Sequence, residues 1–247
     1  MADMFRLDGK TVVVIGAGSG IGQAVAAGAA EQGGRVFGLD VKPDASCTQL
    51  DIVDAAATDA ALDGIAQTTG RLDAVVCTPS INVRKKLLDY AEDEFDRVVR
   101  LNLKGSFNVV RAAGRLMVER KAGSIVLFSS IRSQVVEPGQ AIYAMTKAGI
   151  VQLVRGAACE FGTAGVRVNA LGPGVIETPL TAPIKAQSEW YQAYANKNIF
   201  KRWASASEMV GPTLFLISDA ASYVTGTILF ADGGWLAVDG RFTPPGM

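Results

Sequence analysis

The order of apolar segments along the chain predicts an α/β fold: a doubly wound parallel sheet of about seven strands with helices on both faces, in a single domain over residues 1–247. Two observations carry that expectation. Short β-branched runs alternate with longer Ala-rich stretches of helical spacing. The short runs are also continuously apolar rather than alternating, as strands are when helices cover both sheet faces. In order, residues 11–15 read as a strand that enters a Gly-rich turn, and 21–32 as a helix. Residues 35–40 form a second strand, 55–68 a helix and 72–77 another strand. A helix is expected over about 95–119, a strand over 124–129, a helix over 141–161, a strand over 166–171 and a last strand near 227–230. The stretch 172–203 breaks the rhythm with Pro, Gly, aromatic and charged residues. It is too long for an ordinary connection and reads as a partly helical lid.

Composition removes several classes of function. Lys plus Arg equals Asp plus Glu at 24 each, so there is no net field to hold nucleic acid or an acidic membrane face. No apolar run approaches the roughly 20 residues of a membrane helix, and the first ten residues carry Asp3, Arg6, Asp8 and Lys10 where a secretion signal would be apolar. Cys47, Cys77 and Cys159 form no CxxC pair, which suits a reducing compartment and predicts a cytoplasmic protein. Histidine is absent. That excludes a Ser-His-Asp triad, a His-activated cysteine and nearly every catalytic zinc site, so no metal is expected.

Gly16, Gly20 and Gly22 follow the first strand and open the first helix, where backbone must approach a pyrophosphate closely. The spacing is G-x-x-x-G-x-G, and on the glycines alone a merely tight strand-to-helix turn remains open. Asp40 closes the second strand 18 residues beyond Gly22, where a carboxylate accepts hydrogen bonds from an adenosine ribose and repels a 2′-phosphate. It favours NAD over NADP, with Lys42 the one residue pointing the other way; a solvated strand-end carboxylate is the alternative.

Tyr143 and Lys147 stand four apart near the start of the expected helix 141–161 and so share a face. A phenol with an ordinary pKa of about 10 is a poor base at neutral pH, and a neighbouring ammonium stabilises its phenolate. Alone, such a pair is common surface decoration. Ser129 and Ser130, however, end the strand 124–129, and active sites of doubly wound sheets lie outside the carboxyl ends of strands. Ser130, 13 residues before Tyr143, is placed either to donate to an oxygen that gains charge or to cap its loop.

Taken together, Gly16/Gly20/Gly22, Asn102 in V-R-L-N-L-K-G, Ser130 and Y-A-M-T-K from Tyr143 to Lys147 resemble the classical short-chain dehydrogenase/reductase pattern. The likeness spans nearly the whole chain. It includes Asp51 after a short third strand, Pro173-Gly174-Val175-Ile176-Glu177-Thr178 after the sixth, and Asp232-Gly233-Gly234. It implies a Rossmann-type fold with Tyr143 as general acid/base, Lys147 lowering its pKa and holding the nicotinamide ribose, Ser130 polarising a carbonyl and Asn102 positioning a water in a proton relay. The cofactor set it implies is Gly16, Ser19, Gly20, Ile21 and Gly22 at the pyrophosphate, and Asp40 at the ribose. Asp51 and Ile52 would lie at the adenine, Tyr143 and Lys147 at the nicotinamide ribose, and Pro173, Gly174, Ile176 and Thr178 about the nicotinamide. A homo-oligomer, tetrameric or dimeric, is implied too, with the small-residue faces of 141–161 between subunits. Two segments depart from the pattern. Ile15 stands where the family has Thr, and Cys77-Thr78-Pro79-Ser80 replaces N-N-A-G. Because these segments brace each other in the family, a compensated apolar repacking is expected, with Cys77 a small buried hydrophobe.

The expected reaction interconverts a secondary alcohol and a ketone or aldehyde on a small polar substrate bound by Ser130, Tyr143 and Arg132. Arg132 follows Ser130 by two residues and suits a carboxylate, hence a hydroxy acid or sugar acid; pairing with Glu137 or exposure to solvent are its alternatives. Two other functions stay open: a 3-oxoacyl-acyl-carrier reductase of the same family, and a non-catalytic NAD-binding regulator. The C-terminal stretch 235–247 is expected to reach a neighbouring subunit.

Overall fold

The computed structural model describes residues 3–43 and 45–238. Its strands are β1 Thr11–Ile15, β2 Arg35–Asp40, β3 Cys47–Gln49, β4 Ala74–Cys77, β5 Gly123–Phe128, β6 Val166–Pro173 and β7 Ile228–Ala231. All pair in parallel, in the order β3-β2-β1-β4-β5-β6-β7. The continuous apolar runs are explained by helices on both sides. Val13 and Ile15 of β1 face a core shared with α2 Ala55–Thr69, α4 Ser106–Arg120 and α5 Ala141–Phe161 through Leu62, Val109, Ala113, Ile150 and Val154. Val12 and Val14, one residue out of step, face α1 Gly20–Glu31 and α8 Val210–Ile217 through Val25, Ala29, Leu214 and Ile217. These side chains are buried, and every second residue of β1 serves the opposite core.

β1 pairs with β2 on one side and β4 on the other, Ile15 lying opposite both Leu39 and Cys77. The strand order reverses there, and connections leave β1 and β4 in opposite directions, which opens a crevice at their carboxyl ends. β4 begins at Ala74 rather than at residue 72. Asp73 is held instead as an anchor, accepting from the Thr11 amide at 2.7 Å, Arg71 Nε at 2.7 Å and Arg120 Nη1 at 2.9 Å.

The expected helix 95–119 is interrupted. α3 Glu92–Val99 leads into a wider π-helical turn, Arg100–Gly105, before α4 begins at Ser106. An extra residue per turn rotates the side chains that follow, and such turns recur at functional sites. Asn102 lies inside it. The stretch 172–203 carries α6 Ala182–Lys185 and α7 Ser188–Lys197, packed through Ile184, Tyr194 and Trp203 onto Ile131 and Trp235. Among the described residues no helix is long and apolar enough to cross a membrane. The expected subunit-reaching segment falls largely on 239–247, outside the described residues.

Candidate active site

At the crevice between β1 and β4 lies a cleft of about 1030 Å³ lined by Gly16, Ser19, Gly20, Ile21, Gly22, Asp40, Asp51, Ile52 and Thr178, among others. Nine of the residues expected at a dinucleotide therefore share one wall. Backbone closes the turn where a side chain cannot fit: Gly16 has φ +87, and a Cβ on Gly22 would stand 2.0 Å from the Gly16 carbonyl oxygen. Ser19 precedes α1 without a side-chain cap, so the first amides of that helix keep their donors for an anion. The Asp40 carboxylate accepts from the Gly18 amide at 3.0 Å and the Lys42 amide at 2.9 Å, which fixes it at the cleft edge with acceptor capacity to spare. The cradle fits a pyrophosphate and the carboxylate fits ribose hydroxyls.

Pro173, Gly174 and Ile176 do not line this cleft. Gly174 packs on Asp232, and Ile176 is buried and bridged to Ala204 in the core beneath the sheet. The departure around Ile15 packs as expected, Ile15 and Cys77 lying buried in one apolar cluster, and a polar contact braces it as well. Thr78 Oγ1 donates to the Ile15 carbonyl at 3.0 Å and its amide to the same oxygen at 3.1 Å, while its side chain fills the space a Cβ on Gly16 would need. Cys77 is buried, and burial pushes its thiol up to about 12, so it is no nucleophile.

Beyond the cleft, the carboxyl end of β5 and the first turns of α5 bring Ser130, Tyr143 and Lys147 together. Burial raises the Tyr143 pKa, against an opposite pull from the hydroxyls of Ser130 and Ser80 and the guanidinium charges of Arg132 and Arg84. Lys147 lies over the phenol, its Nζ 5.4 Å from the ring centroid, and donates to the Phe128 carbonyl at 2.8 Å. Burial lowers its pKa to about 8. Ser129 Oγ donates to the Lys147 carbonyl at 2.8 Å, pinning α5 to the end of β5. Asn102 is buried and clamps the loop after β4: its Oδ1 accepts from the Ile81 amide at 3.0 Å. Its Nδ2 donates to the Ile81 carbonyl at 2.9 Å and to Thr146 Oγ1 at 3.0 Å.

Arg132 is buried and engaged by Glu137, Nη2 to Oε2 at 2.8 Å, with Tyr194 and Trp235 rings beside it. Of its expected partners, the intramolecular carboxylate is the one in place. Glu137 also accepts from Arg84 Nη1 at 2.6 Å and from Tyr194 and Gln140. Burial pushes this carboxyl up, but Arg84, Tyr194, Arg132 and Gln140 together hold it below its ordinary range. Two guanidinium groups about one carboxylate leave a net positive charge near Tyr143.

Sequence reasoning named Arg84 as a cation at the rim of the pocket but missed the row to which it belongs. Ser80, Asn82 and Arg84, on the loop after β4, meet Tyr143, Gln140 and Glu137 in that order. The signal was a period of two opposite a period of three, visible only once the two segments are known to face each other. Over this corner lies the stretch 172–203. Trp190 receives the Arg84 guanidinium at 4.7 Å, and Tyr191 stacks on Trp203 at 4.9 Å.

Comparison with known proteins gives a consistent result. Residues 16–236 match the family model described as enoyl-(acyl carrier protein) reductase. Oxidoreductase UcpA of Escherichia coli is 35% identical over 94% of this chain and 96% of its own length. Gluconate 5-dehydrogenase of Gluconobacter oxydans is 32% identical over 94% and 96%. The crystal structure of a gluconate 5-dehydrogenase from Burkholderia cenocepacia, in complex with NADP and tartrate, superposes with a TM-score of 0.92 at 30% identity, covering 96% of this chain and 98% of that one. The seven-stranded parallel sheet, the glycine cradle at its switch point and this breadth of similarity agree: the chain belongs to the classical short-chain dehydrogenase/reductase family.

Proposed function

We propose that this chain is an NAD(H)-dependent dehydrogenase that interconverts a secondary alcohol and a ketone or aldehyde on a small polar substrate, a hydroxy acid or sugar acid. The observation that carries the reading is the convergence of Tyr143, Ser130 and Lys147 at the carboxyl end of β5, beside a cleft whose glycines admit a dinucleotide. Relatives named as gluconate 5-dehydrogenases, one bound to tartrate, support an acidic polyol substrate, as does the positive charge left by Arg84 and Arg132 around Glu137. Asp40 supports NAD. The NADP in the Burkholderia relative makes cofactor choice the first thing to measure. We place the enzyme in the cytoplasm, as one domain whose lid is residues 172–203, and as a homotetramer or homodimer.

A nicotinamide held in the cleft supplies the hydride acceptor or donor. The residues supply the rest. Tyr143 holds a proton at its phenol oxygen and exchanges it with the substrate oxygen, and the Ser130 hydroxyl donates to that oxygen as charge builds. Lys147 adds its positive charge beneath the phenol and offers donors to a ribose. Thr178, on the cleft wall, would flank the nicotinamide, and Asp51 and Ile52 the adenine. Asn102 holds the loop that carries Ser80 against α5 and offers a site for a relay water.

Titration with NADH and NADPH, followed by nicotinamide fluorescence, and then a screen of hydroxy acids and sugar acids with the preferred cofactor, tests the reading. NADH is expected to bind more tightly. Tyr143→Phe is expected to lower turnover by about 10²–10⁴-fold while cofactor binding persists. A stronger grip on NADPH would overturn the role given to Asp40, and undiminished turnover in Tyr143→Phe would overturn the chemistry.

A further inference from the structure

The loop after β4 and the segment that opens α5 face each other in three rungs: Ser80 beside Tyr143, Asn82 Nδ2 donating to Gln140 Oε1 at 3.2 Å, and Arg84 donating to Glu137. The last rung dictates the others. An ionised carboxylate accepts only, so Gln140 presents its Nε2 to Glu137, as observed, and its Oε1 faces Asn82. Asn82 must then spend its Nδ2 on Gln140, which leaves Oδ1 as an acceptor. Among the described residues Asn82 Oδ1 has no hydrogen-bond partner, although it is sealed from solvent. Ser80 Oγ, likewise sealed, has the Tyr143 hydroxyl as its polar neighbour, and Ser80 belongs to the wall of the cofactor cleft. Buried polar atoms without partners are rare, and Asn82 Oδ1, on this row beside a reacting group, calls for a ligand.

We propose that Ser80 and Asn82 form a subsite for a second hydroxyl group, on a carbon next to the one oxidised, so that the enzyme selects diol-type substrates over simple secondary alcohols. The proposal rests on the dehydrogenase reading and deepens it. The reacting oxygen sits between the Tyr143 and Ser130 hydroxyls. A neighbouring hydroxyl then meets Ser80 on the other side of the phenol and donates to Asn82 Oδ1. The direction of that bond is set from Glu137 through Gln140, so the subsite accepts a donor and rejects a hydrogen or methyl in its place. A substrate without that hydroxyl leaves Asn82 Oδ1 unpaired, a defect that sites of this kind read as strong discrimination.

The test compares kcat/KM for substrates that differ by one hydroxyl: 2,3-dihydroxybutyrate against 3-hydroxybutyrate, and 2,3-butanediol against 2-butanol, each with the preferred cofactor. The wild-type enzyme is expected to favour the dihydroxy member of at least one pair by about tenfold or more. Asn82→Leu and Ser80→Ala are each expected to reduce that ratio several-fold. The ratio, unlike either rate alone, does not move when a substitution merely loosens the fold or the catalytic tyrosine. If Asn82→Leu does not fold, as judged by thermal melting, the smaller change Ser80→Ala decides. Turnover of both members at equal efficiency, or a ratio unchanged in the folded variants, would overturn the subsite and leave the dehydrogenase reading standing. No turnover of any of the four, in a protein that binds the cofactor, would overturn both.

Discussion

Lys147 shows what a buried ammonium costs a fold. The residue is 3% exposed, and burial lowers its pKa from 10.5 to about 8. Because the folded value lies below the unfolded one, the unfolded chain binds more protons between those values, so stability rises as pH climbs from 8 toward 10.5. Below 8 the cost of burying the charge is fully present, and the displacement corresponds to about 3 kcal/mol. A methionine of similar length removes that cost and forfeits the hydrogen bond to Phe128, worth about 1 kcal/mol. Lys147→Met is therefore expected to be inactive yet about 2 kcal/mol more stable at pH 7, the gain shrinking at pH 10. Urea denaturation of both proteins at the two pH values measures this, and a variant less stable than the wild type at pH 7 would contradict it. The closeness of Lys147 to Tyr143 was legible from their spacing. Its burial was not, because nothing local tells a lysine on an exposed helix face from one tucked under a strand end.

At the scale of elements, continuous apolar runs gave strands and Ala-rich stretches gave helices because both signals are local. What escaped was contact between segments distant in sequence. The π-helical turn Arg100–Gly105 inserts a residue without disturbing the surrounding helical pattern, so its place was invisible, although Asn102 inside it stood out as a motif residue. Thr78 is a second example. Read as one half of an unusual replacement, it joins the ends of β1 and β4 through a hydroxyl to the Ile15 carbonyl and presses on the two glycines that shape the cradle. Thr78→Val keeps the volume and removes the bond. It is expected to cost about 1 kcal/mol of stability and to weaken NADH binding by roughly fivefold or more, since a methyl must share the space against Gly16. Thr78→Ser, which retains the hydroxyl, is expected to restore most of both. Equal cofactor affinity in all three proteins, measured by fluorescence titration, would show that the brace does not shape the cradle.

At the scale of the whole molecule, the surface beside the site argues for assembly. A groove there is lined by Leu87, Val136 and Met145, which are 61%, 70% and 45% exposed, with Ala141, Ala144 and Ala148 of α5 between them. Large apolar side chains gathered around small ones make a face that another subunit's helix can approach closely, and a contiguous apolar patch of this kind is costly to leave in water. The same groove is floored by Arg132 and Glu137, so its other side is the charged cluster that neighbours Tyr143. Whatever covers the groove also removes water from that cluster and strengthens its fields. The protein is accordingly expected to sediment as four or two copies of the 25.9 kDa chain. Met145→Asp, which places a charge on the α5 face, is expected to shift it toward monomer at micromolar concentration and to lower turnover in proportion to the monomer formed. Sedimentation velocity and activity measured on the same samples check the link. A wild type that sediments as a monomer would refute the assembly, and a fully active monomeric variant would show that the site is complete within one subunit.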